Sequence, residues 1–349
     1  MISPALVDVV QCPDCGGAIR RTADGFVCAR CGRVFDGHAG YLDLRPLAAF
    51  AEQTKYLDDA LHADARHESV SPPLLGSKIR QDLLRQFLDL GPSDRAVDLG
   101  CGSGRALVWN AGAAGMIVGV DVSPFFAREA LDRCDVVLGD LRRLPLRTGA
   151  FTKAWTLDVL EHLSPETLGA VLAEANRVLA DDGALFVYTH VRKNGPLGGG
   201  VRLMNRLASL CERIGLIDLR QERLRKSDHL NPIADHDELE RLVAARGFRI
   251  DRLVYYTPII GAFVENVLVR IAEQRLVKRA ARRDGPAATP DDAVREARAS
   301  AKATIGRRGA TYRGLVFLTW LMKLDVVLFG RVTSGPFFAL LRKTTPTSG

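Results

Sequence analysis

Four cysteines near the start of the chain stand as Cys12-x2-Cys15-x12-Cys28-x2-Cys31. Each pair spans a tight turn followed by a glycine, Gly16 or Gly32, which frees backbone N–H groups toward the sulfurs. Four thiolates at this spacing suit tetrahedral Zn2+ with a closed coordination shell, so the metal is structural. A segment this short cannot build its own core, and the metal supplies its folding energy. A redox or empty ribbon is the alternative. His38 is a spare nitrogen nearby that reads as merely exposed. The remaining cysteines, Cys101, Cys134 and Cys211, have no paired spacing, which argues against a disulfide framework.

A second group of residues suits a nucleoside. The run DLGCGSG at 98–104 follows an apolar segment and precedes a helical one. Glycines there let the backbone turn tightly and approach a ligand, and the helix that follows presents free N–H groups. The spacing is G-x-G-x-G through Gly100, Gly102 and Gly104, with Arg105 where a dinucleotide loop has its third glycine. Asp98 precedes the loop. Asp121, Asp140 and Asp158 each close a later apolar segment. Asp121 is placed to accept both ribose hydroxyls, and Asp140 an adenine amino group. Any one of these acids could be a helix cap. Four in a row, with the loop, are hard to explain that way.

The elements that must position them alternate. RAVDLG, MIVGVDVS (116–123), DVVLGD (135–140), the segment from 150 and ALFVYTHV (184–191) read as strands. Arg105–Ala113, 124–133 and PETLGAVLAEANRVLADDG read as helices between them. Strands and helices in that order give βαβ units and a parallel sheet. DHDELERLVAARG (235–247) and FRIDRLVYY (248–256) resume the pattern, and GPFFALLRK (335–343) closes it as a last strand. The fold class is therefore α/β, doubly wound around a mostly parallel seven-stranded sheet. A ribbon at 1–46 precedes the main domain, 47–349, which carries insertions at about 192–234 and 258–334.

These motifs resemble the class I S-adenosylmethionine (SAM) dependent methyltransferases, close to the branch acting on ubiquinone and menaquinone precursors. VDLGCGSG resembles the first motif of that family and GVDVS the second, which implies Asp121 at the ribose and Val122 beside the adenine. GDLRRLPL resembles the third, implying Asp140 and Leu141 at the adenine. TLDVLEHL resembles the fourth, which lines the methyl end. The resemblance covers about 80–191, resumes at 235–256 and ends with 335–343, where the family's last strand is antiparallel. It implies SAM as cofactor, held by Asp98, Gly100, Cys101, Gly102, Gly104, Asp121, Val122, Asp140 and Leu141. In some quinone-pathway O-methyltransferases a divalent cation is associated with the fourth motif, and Asp158, Glu161 and His162 match that pattern. The ribbon followed by GYLDLRP is similar to the N-terminal module of some bacterial methyltransferases, including ribosomal RNA guanine methyltransferases, which often carry one His among the ligands.

A sulfonium methyl is already activated, so an enzyme mainly aligns the acceptor and excludes water. Where the acceptor must lose a proton, Asp158, His162 and His190 are the candidate catalytic groups, with His229 a further imidazole. Each histidine could equally be a capped or buried one.

The acceptor is less legible. The net charge of +7 and pI near 9.2 allow an anionic partner without requiring one. The insertions are basic, with Arg202, Arg206, Arg213, Arg223 and Lys226 in one and Arg307, Arg308 and Arg313 in the other. They also hold apolar runs, TPIIGAFVENVLVRIA and GLVFLTWLMKLDVVLFG, broken by Glu265, Lys323 and Asp325. Such faces suit helices lying in a membrane interface, or helices that pack together over a pocket. The leading expectation is a small-molecule or lipid-linked acceptor, with a peripheral membrane contact. RNA base methylation, with ribbon and insertions gripping phosphates, is the second. A SAM-binding partner subunit without activity is the third. No run is long enough to span a bilayer and no signal peptide is evident, so the expected place is the cytoplasm or the inner face of its membrane.

Overall fold

The computed structural model describes residues 2–23, 25–37, 39–47, 70–193, 195–219, 229–275, 279 and 309–344. His38, the basic residues at 223 and 226, the pair at 307–308 and the RRDGPAATPDD stretch fall outside them.

The chain opens with a short helix α1 (Leu6–Val9) and a small antiparallel sheet of β1 (Ile19–Thr22), β2 (Gly25–Cys28) and β3 (Val34–Phe35). Strand β4 (Leu42–Asp43) and helix α2 (Gly76–Leu88) lead into the alternating part. That part is β5 (Arg95–Leu99), α3 (Arg105–Asn110), β6 (Met116–Asp121), α4 (Arg128–Arg133), β7 (Asp135–Leu138), β8 (Phe151–Leu157), α5 (Pro165–Val178) and β9 (Leu179–His190). Helix α6 (Gly198–Arg213) lies in the first insertion, followed by α7 (His236–Ala244) and β10 (Phe248–Tyr255). The second insertion holds α8 (Ile259–Phe263), a π-helical turn (Val264–Val269) and α9 (Ala310–Phe329), and β11 (Pro336–Lys343) closes the chain.

The large sheet runs β10-β11-β9-β8-β5-β6-β7-β4. All pairs are parallel except those of β11, which runs antiparallel to both β10 and β9. The seven expected strands are all present, and β4 adds an eighth by pairing with β7. Because β10 and β11 pair directly, the second insertion is an excursion inside a terminal hairpin.

Why these residues form these elements is plain in their burial. Ala96, Val97, Asp98 and Leu99 are all buried, as are all four residues of β7, since helices cover both faces of a parallel sheet. Helix α5 begins where the Ser164 hydroxyl accepts the Thr167 N–H at 3.2 Å and Pro165 fits the first turn. Its Leu168, Val171, Leu172, Ala175 and Val178 fall on one buried stripe. Each such fully buried branched side chain contributes about 1.5–3 kcal/mol. Helix α7 starts at Asp235, whose carboxylate accepts the Glu238 N–H at 3.0 Å.

The ribbon is welded to the sheet edge. Leu6, Val9, Val10, Ile19 and Phe26 belong to the same apolar cluster as Val118, Val137, Leu144 and Leu146. Ser3 donates its N–H and its hydroxyl to the two Asp135 carboxylate oxygens at 2.7 and 2.6 Å. Arg147 donates to the carbonyls of Val10 and Val7 at 3.1 and 3.2 Å, and Arg143 to that of Asp14 at 3.0 Å. The sequence boundary near 46 therefore marks a change of composition, while the packing across it is continuous.

Candidate functional site

The strand order reverses at β5, which has β6 on one side and β8 on the other. Ligands of such sheets bind in the crevice outside the carboxyl ends at this point. The loop after β5 folds back so that the N–H groups of Gly100 and Cys101 reach the Val120 carbonyl at 2.9 and 3.1 Å. Gly102 donates its N–H to Asp121 Oδ2 at 2.7 Å, and Ser123 donates to Oδ1 at 2.9 Å. Asp121 thus pins the loop, and its two oxygens keep further lone pairs for a diol.

Two glycines show what the loop requires. Gly102 has φ +52°, and a Cβ there would meet nothing within 4 Å, so its outer face is open to a ligand. Gly100 has φ +82°, and a Cβ there would stand 2.6 Å from the Val159 side chain. Val159 reaches that position because Asp158 adopts φ +56°, which ends β8 abruptly. A left-handed backbone costs a non-glycine residue roughly 1–2 kcal/mol, and strain of this kind gathers at working sites.

Four carboxylates serve in different ways. Asp98 is buried at 2% exposure. Burial pushes its carboxyl up to about 8; the Trp155 side chain opposes this and the charge of Asp121 adds to it. Asp140 accepts from the Arg142 backbone N–H at 2.8 Å and pairs with that guanidinium at 2.9 Å. Asp158 faces Arg80 of α2 at 3.5 Å. Cys101 is turned inward, with its Sγ 2.9 Å from where a Gly119 Cβ would be, so it offers a ligand its backbone only. Leu141 packs against the main core, and Val122 is half-buried after β6.

Residues that the motifs do not name gather around Asp158. Arg80 lies over the Tyr188 ring at 5.3 Å. Burial pulls its charge down, but Asp158, Tyr188 and Glu265 outweigh that and hold it firmly cationic. Glu265 accepts the Gly76 N–H at 3.1 Å, and Thr319 of α9 accepts the Leu75 N–H at 2.8 Å, so the second insertion clamps the start of α2. Asp325 of α9 accepts the N–H groups of Ile260 and Gly261 at 3.0 and 2.7 Å, joining α9 to α8. Arg80 sits on an amphipathic helix with one other arginine, Arg85, and nothing in its spacing marks it out.

The candidate catalytic histidines are brought together from distant segments. The His162 and His229 rings meet edge-on at 4.6 Å, and His190 lies 5.4 Å from His229. Glu161 beside them is buried, and its Oε2 accepts the Thr189 hydroxyl at 2.9 Å. Burial, with the charge of Asp158, pushes Glu161 up to about 7.

The cysteine cluster fits zinc. The sulfurs of Cys12 and Cys31 lie 3.8 Å apart and those of Cys15 and Cys28 3.5 Å apart, with all four within 4.8 Å of one another. Four bonds of about 2.3 Å to a tetrahedral ion require sulfur separations of about 3.8 Å. The two turns match: Gly16 donates to the Cys12 carbonyl at 2.9 Å and Gly32 to that of Cys28 at 3.0 Å. Burial pushes the Cys12 thiol up to about 12. It pushes Cys28 the same way, but the N–H groups of Cys31 and Arg30 outweigh it and leave Cys28 at about 6. A cation is what allows all four sulfurs to be charged together.

Fold and site together define a Rossmann-like α/β protein with a nucleoside-type crevice at its switch point. Residues 97–187 match the family model described as "Methyltransferase domain". A sterol 4-C-methyltransferase of Caenorhabditis elegans is 26% identical over 140 residues, 36% of this chain and 41% of that protein. An uncharacterized 37.1 kDa protein of a Streptomyces fradiae transposon is 31% identical over 163 residues, 44% of this chain and 40% of that one. The chain thus spans about two fifths of the length of these relatives. Among solved structures, the cyclopropane synthase MmaA2 of Mycobacterium tuberculosis covers 76% of this chain and 84% of its own at 16% identity, with a TM-score of 0.43.

Proposed function

We propose that this chain is a SAM-dependent methyltransferase acting on a small-molecule or lipid-linked acceptor. The single observation that supports it is the crevice at the switch point beside β5, where an open glycine hairpin is pinned by Asp121 at the end of β6. SAM bound there supplies an activated methyl on a sulfonium. Asp121 holds the loop and accepts the ribose hydroxyls. Asp140 and Leu141 border the adenine. Asp98 places a carboxylate beneath the cationic tail. Asp158, oriented by Arg80, faces the acceptor side. His190 takes a proton where the acceptor must lose one.

The lipid-linked part rests on the insertions. Helix α9 exposes Phe317 and Trp320, stacked at 6.1 Å, together with Val327 and Leu328, while α6 exposes Leu203 and Leu210. Arg202, Arg206, Arg213 and Arg313 flank these residues. No helix among the described residues is long and apolar enough to cross a membrane, so the contact is one of lying on a surface.

Two outcomes test this. Asp121→Ala should weaken SAM binding by about 1–3 kcal/mol, measured by calorimetry, because the hydrogen bonds that a charged carboxylate accepts from the ribose hydroxyls and from the Gly102 N–H are lost. An unchanged affinity removes Asp121 from the cofactor site. Labelled methyl from SAM, supplied to a cell extract, should appear in the lipid or small-molecule fraction. Label confined to RNA overturns the acceptor reading and leaves the cofactor reading standing.

A further inference from the structure

The histidine cluster is separate from the cysteine zinc and lies on the turn that directly follows Asp158 at the end of β8. Glu161 and His162 lie on the 3-10 turn Leu160–His162 that follows β8. His229 comes from the far end of the first insertion. One ligand atom from each of these three residues lies within 4.8 Å of the other two.

The approach is built into the backbone. Asn231 donates its N–H to the Glu161 carbonyl at 2.9 Å, two residues beyond His229. Next, the N–H groups of Arg192 and Lys193 bond the carbonyls of Ile233 and Ala234, each at 2.9 Å. The returning insertion is therefore stitched first to the turn and then to the chain leaving β9. Glu161 is 2% exposed and Thr189, which donates to its Oε2, is 1% exposed. A hydroxyl on one oxygen orients the carboxylate and leaves the other for a further partner.

We propose that Glu161, His162 and His229 form a second metal site, for a first-row divalent cation such as Zn2+, Mn2+ or Fe2+. Two imidazoles and one carboxylate suit these ions better than Mg2+, which prefers all-oxygen shells. Three protein ligands leave positions open for water or an acceptor oxygen, unlike the closed shell of the ribbon. The ligand set differs from the one the fourth motif implies. Asp158 is turned to Arg80 at 3.5 Å, and a histidine supplied by the insertion takes the third place. Thr189 is the orienting outer partner, and His190, 5.4 Å from the His229 ring, borders the cluster.

The test reads metal, not methyl transfer, so it is independent of the function proposed above. Full-length protein is analysed for bound metal, stripped with a mild chelator that leaves the thiolate site loaded, and titrated with cobalt(II). The expected result is one equivalent of cobalt beyond the ribbon metal, with ligand-field absorption and no thiolate charge-transfer band. His229→Ala and Glu161→Gln should each weaken that uptake by at least about tenfold. His236→Ala should not, because His236 Nε2 bonds the Ser334 carbonyl at 2.8 Å instead. Thermal melts confirm that each variant is folded, and His229→Gln serves if the alanine variant is not. No uptake beyond the ribbon, or uptake that the His229 and Glu161 variants leave unchanged, overturns the site.

Discussion

Loss of the cysteine-bound zinc should lower the stability of the whole chain, not of the ribbon alone. Cys28→Ser, or treatment with a strong chelator, removes one of four ligands or the ion itself. Structural zinc contributes on the order of 10 kcal/mol to isolated fingers at neutral pH. Here only part of that reaches the main domain, through the contacts at the sheet edge. Those contacts are substantial: β4 pairs with β7, Ser3 caps Asp135, and Arg143 and Arg147 bond three ribbon carbonyls. A drop of several kcal/mol, roughly 4–7 °C in Tm for a chain of 349 residues, is the expected result in calorimetry. The loop carrying Asp140 runs directly into Arg143, so SAM affinity should fall as well. Native mass spectrometry should show one ion lost on chelation of the thiolate site. An unchanged Tm with the zinc gone would mean that the ribbon stands on its own.

Asp98→Asn should stabilise the cofactor-free protein, and by more as pH rises. Asp98 titrates near 8 in the folded chain because burial disfavours its charge, against 3.8 for an ordinary aspartate. Between those two values the folded chain keeps a proton that the unfolded chain releases. The unfolded state therefore gains with rising pH, and the stability due to protonated Asp98 is lost across that window. Asparagine, which has no proton to release, escapes the loss. The gap in stability between variant and wild type should widen by up to about 1.4 kcal/mol per pH unit, then level off above the folded value. Saturating SAM should shrink the gap, since the cationic tail of the ligand favours the carboxylate. Melts across the window, with and without SAM, check both statements. A gap that does not depend on pH would place Asp98 as an ordinary, solvated acid.

The nucleoside side of the site was legible because its parts are local. A strand, its glycine turn and the acid closing the next strand lie within one strand–helix–strand unit, so spacing alone carries their geometry. Gly102 bonds Asp121 directly, and Gly100, Gly102 and Gly104 all turn with positive φ. Cys101 lies in the same run, but its side chain turns inward, because packing against Gly119 and Leu107 decides its direction. The surroundings of Asp158 were less legible. Arg80 joins Asp158 across a long loop, and Glu265 and Thr319 join α2 across most of the chain. No periodicity encodes such pairs.

By itself the sequence determined the order of strands and helices, the glycine hairpin and the cysteine ligand set, because each depends on neighbours in the chain and on backbone sterics. Only the tertiary structure decided that the ribbon shares a core with the main sheet and adds its eighth strand. It also decided that His229 returns to Glu161 and His162, and that Asp158 turns to Arg80. Those outcomes depend on contacts between residues far apart in sequence, where the free energy comes from burial and closure of long loops, not from any local preference.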